Sequence, residues 1–316
     1  MILPKFDRRA VPSGAAFSVE PMHDGWPVRR FDWPVEAARG SILFLGGRGD
    51  ILEKYLESFA HWHDGGWNIY GFDWRGQGGS GRLSANPKIG HIERFSDWID
   101  DLAEIHAQWV ASTPAPHVII AHSMGGHLTL RALIEKRIAP SAAILCAPML
   151  GFITTPLPGA FAAWIARRLA ARGPLDRAAW AQNEKPTAQW KARQTYLTSD
   201  AARYSDELWW KREKPELDIG PPSWQWLLEA YASTVATAAH GLPESVATPM
   251  LMLGTDGDKL VSPQAIRQFA ARLPICELTM FDKSIGHEIL RERDDVRTRA
   301  LGLIDSFLER TAKAVA

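Results

Sequence analysis

The stretch VIIAHSMGGHLTLRAL, residues 118–133, changes from one structural pattern to another around Ser123. It begins as a short apolar run typical of a buried strand, and after two glycines its apolar residues recur at helical spacing. The hexapeptide AHSMGG departs from G-x-S-x-G only at Ala121. In that motif a tight strand-to-helix turn exposes a nucleophilic serine, and small neighbours relieve crowding. The stretch predicts either a nucleophile elbow at Ser123 or a serine that only caps a helix beginning near Met124.

Five other short apolar runs alternate with helical patterns along the chain. The six runs begin at Ser41, Trp67, His117, Ser141, Thr248 and Cys276. Before them, two extended segments joined at Asp24-Gly25 predict an antiparallel hairpin. Alternating buried strands and helices are typical of an α/β fold with a mostly parallel sheet flanked by helices.

Residues 151–246 interrupt this alternation. They contain no convincing buried strand, and the amphipathic pieces AFAAWIARRLAAR and SWQWLLEAYAST are joined by proline-rich connections. Half of the chain's 14 tryptophans lie there, which suits a cap with aromatic faces. We therefore predict a helical cap at 151–246, inserted into a core made of residues 1–150 and 247–316.

Composition excludes several classes of function. Lys plus Arg equals Asp plus Glu at 36 each, so no net field draws the chain to nucleic acid. No stretch approaches the roughly 18 apolar residues of a membrane-spanning helix. Cys146 and Cys276 both lie in apolar runs, which favours free buried thiols in a reducing compartment. We expect a soluble cytoplasmic protein with no nucleic-acid partner.

An elbow serine needs a base, because its hydroxyl is a weak nucleophile at neutral pH. The chain order serine, acid, histidine leaves His240 and His287 as candidates. We favour His287, since FDKSIGHEIL follows the last predicted strand, at the sheet edge where α/β folds bind ligands. For the acid, GTDGDKLVSP offers Asp256 and Asp258. We favour Asp258, because a position further past the strand lets the side chain turn back toward the histidine, although both could be plain turn residues.

The loop FLGGRGDILEKY follows the first run and is rich in glycine. Its backbone can approach a substrate closely, so we expect the N–H of Arg48 and that of Met124, the first helical residue, to bind an oxyanion. The segment DWRGQGGSGR also satisfies G-x-G-x-x-G, but Pro87 and Gly90 follow where a dinucleotide motif requires a helix. The sequence has no cluster with metal-ligand spacing and no G-K-[ST] phosphate loop, so we predict neither a metal nor a cofactor.

Taken together, these segments resemble the α/β-hydrolase superfamily and, within it, the lysophospholipase and monoacylglycerol lipase-like group of the serine aminopeptidase S33 type. GGRGDILEKY is similar to that group's oxyanion loop, AHSMGG to its elbow, and GTDGDKLVSP and GHEIL to its acid and histidine loops. Two positions depart from the pattern. Gly46-Gly47 stands where many relatives have His-Gly, and Ala121 replaces a glycine.

The resemblance implies hydrolysis of an ester through an acyl-enzyme, with Ser123, Asp258 and His287 as the catalytic residues. The substrate class it implies is a monoacyl lipid, either a lysophospholipid or a monoacylglycerol. Helix AFAAWIARRLAAR, with Phe161 and Trp164 on one face and arginines elsewhere, suits transient contact with an anionic lipid surface.

Two alternatives stay open. An S33-type aminopeptidase needs an acidic cap residue to hold a substrate amine, and the candidates are Glu184, Glu207, Glu213 and Glu229. A catalytically silent scaffold would bind a ligand or a partner protein without turnover, although it has no need of an intact serine, acid and histidine.

Overall fold

A computed structural model describes residues 6–153, 159–180 and 189–311, with the backbone alone at 159–163 and 189–192. These ranges contain one sheet, whose strands are Ala16–Pro21 (β1), Pro27–Trp33 (β2), Ser41–Leu45 (β3), Asn68–Phe72 (β4), His117–His122 (β5), Ala142–Cys146 (β6), Met250–Thr255 (β7) and Cys276–Phe281 (β8). The strand order is β1-β2-β4-β3-β5-β6-β7-β8. All six predicted runs and both segments of the predicted hairpin therefore supply strands.

The sheet is parallel from β4 to β8 and antiparallel at one edge. β1 and β2 form the hairpin at Asp24-Gly25, and β2 pairs antiparallel with β4. The remaining neighbours are all parallel pairs. The strand order reverses between β3 and β5, which is where open α/β sheets bind ligands at the carboxyl ends of the strands. The predicted mostly parallel α/β fold is confirmed.

Helices cover both faces of the sheet. In the described ranges they are Leu56–Asp64 (α1), Phe95–Ser112 (α2), Met124–Ile134 (α3), Gly159–Ala170 (α4), Gln189–Leu197 (α5), Ala201–Glu213 (α6), Trp224–Thr237 (α7), Pro263–Arg272 (α8) and Asp294–Thr311 (α9). On one face α2, α3 and α8 bury their apolar sides, and on the other α1 and α9 do so. β5 serves both cores, because Val118 and Ile120 face one layer and Ile119 the other.

The described part of the segment between β6 and β7 contains helices α4 to α7 and no strand. α4 and α7 correspond to the two amphipathic patterns, whereas α5 and α6 did not stand out in the sequence. α7 begins at a real cap, since Ser223 Oγ accepts the N–H of Trp226 at 3.0 Å. The boundaries at 151 and 246 stay a prediction.

The glycine-rich loop after β4 has no helix immediately behind it. Gly76, Gly78 and Gly81 have φ values of 79°, 50° and 71°, which L side chains rarely adopt. A Cβ on Gly78 would lie 2.3 Å from the carboxyl of Asp73. The next helix begins only at Phe95. The glycines therefore shape a tight loop, as expected, and do not open a nucleotide-binding helix.

The outer surface of the inserted segment includes α4. Trp164 is 50% exposed, and the guanidinium of Arg168 lies 5.3 Å from its ring centroid. The side chain of Phe161 lies outside the described part of the structure. None of the described helices combines the length and the apolar character needed to cross a membrane.

Candidate active site

Ser123 stands at the corner between β5 and α3. Its backbone has φ 50° and ψ −115°, a region that costs a residue with a Cβ free energy. Although the residue occupies the N-cap position, its side chain makes no cap hydrogen bond, so the simple cap interpretation is wrong. A Cβ on Gly125 would lie 2.5 Å from the carbonyl oxygen of Leu45, which explains why glycine follows two positions later. The strained turn places Ser123 in the lining of a cavity, with no cap bond to the helix it precedes.

The loop after β3 passes close to Ser123. A Cβ on Gly47 would lie 2.9 Å from the Cβ of Ser123, so only glycine allows this approach. Arg48 follows directly, and its guanidinium donates to the carbonyl of Gly220 at 2.9 Å. Met124 is the first residue of α3, so its N–H lies outside the intrahelical ladder. The structure thus brings both predicted oxyanion donors next to the serine, and their role stays a prediction.

Asp258 and His287 form a buried pair. His287 Nδ1 donates to Asp258 Oδ2 at 2.6 Å, and the side chains are 3% and 0% exposed. The other carboxylate oxygen accepts the N–H groups of Leu260 and Val261 at 2.7 and 2.9 Å. Burial opposes ionisation of both partners, yet their attraction raises the pKa of His287 above its ordinary 6.5 and lowers the pKa of Asp258 below 3.8. The pair therefore holds the imidazole in one tautomer with Nε2 available.

The rejected candidates lie elsewhere. Asp256 is bound by Arg267 at 2.7 Å on the surface. His240 is exposed in the connection between α7 and β7. Neither contributes to the cavity around Ser123. The structure therefore separates each pair of candidates that the sequence left open.

Ser123 and His287 open into one cavity of about 480 Å³. Among the described residues, no hydrogen bond joins Ser123 Oγ to His287, and such bonds often tighten only when substrate binds. The ring of His287 lies 4.8 Å from that of His122, the residue before the serine. The apolar lining consists of Met149, Phe152, Trp180, Leu197, Pro222, Trp226, Leu227, Leu260 and Val261. The cavity thus combines the polar side chains of Ser123 and His287 with a mostly apolar lining.

Several titratable side chains beside the cavity were not found from the sequence. Asp50, His122 and Glu288 line it, and Lys54 and Arg291 lie behind them. The only sequence signal for ion pairs was local spacing, which is four residues from Asp50 to Lys54 and three from Glu288 to Arg291. Each of these pairs lies beside a predicted site segment.

Three of the four glutamates considered as amine ligands lie in the described ranges, and none of the three lines the cavity. Glu207 is buried and bound by Arg291 at 2.8 Å and Lys211 at 3.0 Å. Glu229 accepts the N–H of Phe95, and Glu213 is exposed. Glu184 lies outside the described residues. Within the described ranges, no group of three or more His, Cys, Asp or Glu side chains could hold a metal ion.

Residues 36–294 match the family model described as serine aminopeptidase, S33. The chain is also 29% identical to lysophospholipase L2 of Escherichia coli K12 over an alignment of 326 residues, which covers 94% of this chain and 92% of the relative.

Two solved structures share the fold. A soluble variant of monoglyceride lipase from Saccharomyces cerevisiae superposes with a TM-score of 0.74 at 18% identity, covering 98% of this chain and 100% of that one. A thermostable carboxyl esterase from Bacillus coagulans does so with a TM-score of 0.73 at 16% identity, covering 95% and 99%. At these identities the superpositions show the fold alone.

Proposed function

The chain belongs to the serine aminopeptidase S33 family of the α/β-hydrolase superfamily, and we propose that it is a serine carboxylic ester hydrolase acting on monoacyl lipids through an acyl-enzyme. One observation carries the proposal. A serine on a strained strand-to-helix turn shares a mostly apolar cavity with a histidine that is held by a buried aspartate.

In the proposed reaction, His287 Nε2 accepts the proton of Ser123 as Oγ attacks the acyl carbonyl carbon. The N–H groups of Arg48 and Met124 stabilise the tetrahedral oxyanion. Collapse of this intermediate breaks the bond to the alcohol oxygen, which takes the proton from His287. Water then attacks the acyl-enzyme with His287 again as base, releasing the carboxylic acid and restoring the serine. Asp258 keeps the imidazole oriented and stabilises its charged form.

The shape of the cavity supports a substrate with one acyl chain. Nine of its lining side chains are apolar, so an acyl chain can be buried against them while the ester carbonyl lies at Ser123. Two of the relatives described above are named for their substrates, lysophospholipids and monoglycerides. Both kinds of lipid carry a single acyl ester. We infer that the segment 151–246 serves as the roof, because Trp180, Trp226 and Leu227 come from it.

Amide substrates with a free amine fit this cavity less well. A bound ammonium needs a carboxylate that is not already neutralised by other cations, and Glu288 is bound by Lys54 and Arg291. The lining carboxylate Asp50 is likewise bound by Lys54, at 2.6 Å. We therefore favour an esterase over an aminopeptidase despite the family's name.

The test is a substrate panel run with the purified full chain. It comprises p-nitrophenyl esters of graded length, 1-monoacylglycerols, lysophosphatidylcholine and amino-acyl naphthylamides, with a fluorophosphonate probe alongside. We expect turnover of monoacyl esters and labelling at Ser123. Cleavage of naphthylamides without ester turnover would favour the aminopeptidase, and a chain that is neither labelled nor active would be a silent scaffold.

A further inference from the structure

A balanced group of ionised side chains lies directly behind the two loops that carry the proposed site. Three carboxylates pair with three cations, and no side chain in the group is more than 9% exposed. We call it the buried charge cluster, and its members are Asp50, Lys54, Glu207, Lys211, Glu288 and Arg291. Charges this deep persist only when each has a close partner.

Lys54 is the centre of the cluster. Its Nζ lies 2.6 Å from Asp50 Oδ1, 2.6 Å from Glu288 Oε1 and 3.4 Å from Glu207 Oε2. An ammonium has three hydrogens to donate, and here three carboxylates surround it. Burial alone would lower the pKa of Lys54, but these carboxylates raise it, so the residue stays charged.

On one side, Asp50 fixes the loop that carries a proposed oxyanion donor. Its Oδ2 accepts the N–H of Gly47 at 2.6 Å, the hydroxyl of Tyr55 at 2.8 Å and His122 Nδ1 at 2.8 Å. Gly47 immediately precedes Arg48 in the chain. The orientation of the Arg48 N–H therefore depends on where the Asp50 carboxylate lies.

On the other side, Glu288 fixes the loop that carries His287. It follows the histidine directly, and its carboxylate is bound by Lys54 and Arg291. The backbone N–H of Glu288 also donates to the carbonyl of Leu197 at 2.7 Å. The backbone next to His287 is thus held by the same ammonium that holds Asp50.

We propose that Lys54 is a positioning residue, one buried cation that holds the oxyanion loop and the histidine loop at a fixed separation. The inference rests on the proposed ester hydrolysis and adds to it the group that aligns the two loops. Without the ammonium, three buried carboxylates share two cations, and the excess charge is relieved by proton uptake or by movement of a loop.

The first test replaces Lys54 by methionine, which keeps the length of the side chain and removes its charge. We expect kcat to fall about 10²-fold, the scale of losing one oxyanion donor, with KM little changed. We also expect the acid limb of the pH profile to move to higher pH, because the charges of Asp50 and Glu288 raise the pKa of His287 and the ammonium no longer offsets them. The titratable and charged groups that face this site are Asp50, Tyr55, His122, Arg193, Glu207, Lys211, His287, Glu288 and Arg291.

Lys211→Met is the matched control. It makes the same substitution on another lysine of the cluster, which lies 3.0 Å from Glu207 and 3.6 Å from Asp218 and touches neither loop. Asp50 and Glu288 keep Lys54 in this variant and Glu207 keeps Arg291, so we expect wild-type kcat and a smaller shift of the pH profile than in Lys54→Met. Lys54→Arg keeps the charge and should recover at least about tenfold of the lost kcat. A folded Lys54→Met enzyme with wild-type kcat and pH profile would overturn the proposal.

A double-mutant cycle tests whether Lys54 and Glu288 act through one shared interaction or independently. Lys54→Met combined with Glu288→Gln removes one cation and one anion, so the cluster stays balanced and folding is favoured. If the ammonium couples the loops, the double variant is no slower than Lys54→Met alone, whereas multiplied losses contradict coupling. If Lys54→Met does not fold, wild-type kcat in both the double variant and Glu288→Gln would contradict the proposed coupling of the two loops. Failure of the proposed function looks different, because wild-type chain would then show neither ester turnover nor labelling of Ser123.

Discussion

The two ends of the cavity around Ser123 are held by opposite kinds of interaction. At the polar end, one hydrogen bond of 2.6 Å joins His287 to Asp258 and another joins Lys54 to Asp50. At the apolar end, the lining side chains come from five separate segments and have no charge to pair, and they include Met149, Phe152, Leu227 and Leu260. Charged hydrogen bonds are directional and fix atoms within tenths of an ångström, whereas apolar contacts scale with area and tolerate rearrangement. The polar end should therefore be intolerant of change, and the apolar end adjustable.

The largest difference between the two ends of the cavity is expected from Ser123→Ala. Removing the proposed nucleophile should lower kcat about 10⁶-fold while leaving the fold and the apolar wall intact. Ester turnover measures the loss, and circular dichroism checks the fold. Ser284→Ala, an exposed serine on the histidine loop, is the control and should turn over normally. Full activity of the Ser123 variant would mean that the reaction occurs elsewhere.

The next largest effect is expected from Asp258→Asn. The amide keeps the shape but no longer stabilises the imidazolium, so kcat should fall about 10⁴-fold. Asp256→Asn, two residues away and paired with surface Arg267, should change kcat less than twofold. Steady-state kinetics of the two variants side by side tests whether the polar end depends on this carboxylate. Equal losses in both would contradict the assignment.

The pH profile tests the polar end without a mutation. His287 works as a base only when it is neutral, and Asp258 raises its pKa above the ordinary 6.5. The value of kcat/KM should therefore fall about tenfold per pH unit as the pH drops below that raised pKa. In Asp258→Asn the residual activity should show its acid limb at lower pH, because the stabilising charge is gone. A limb that stays in place would argue against His287 as the base.

The smallest effect is expected at the apolar end, from Leu227→Ala. The substitution removes apolar contact area worth about 1–2 kcal/mol, so kcat/KM for long-chain esters should fall roughly 5- to 30-fold. Short-chain esters that do not reach the wall should be affected less. Leu175→Ala is a control in the same inserted segment, 40% exposed and outside the cavity lining. Equal loss for all chain lengths would contradict the division into two ends.

The strands and tight turns of this molecule were predictable because they depend on neighbouring residues in the sequence. The run from Val118 needs burial on both faces, so it reads as a central strand before any tertiary contact is known. The turn at Ser123 requires small neighbours, and Gly125 supplies one where a Cβ would strike the carbonyl of Leu45. The same holds for the hairpin turn at Asp24-Gly25, where the glycine has φ 81°.

Choices between similar residues were harder to predict from the sequence. Asp256 and Asp258 are both polar residues of one turn, and only the direction of each side chain separates them. The sequence favoured Asp258 by its distance from the strand, and the structure brings that carboxylate to His287 and leaves Asp256 on the surface. The helices α5 and α6 were not singled out, because their apolar residues lack a strong helical period.

By itself, the sequence determined the strands and the strand-to-helix corner at Ser123. These depend on periodicity and turn chemistry within about ten residues. Only the tertiary structure decided the strand order that puts β3 beside β5 and the buried charge cluster behind the cavity. Lys54 and Glu288 are 234 positions apart in the chain. Burial and charge pairing act through space, so no local pattern records that these two side chains meet.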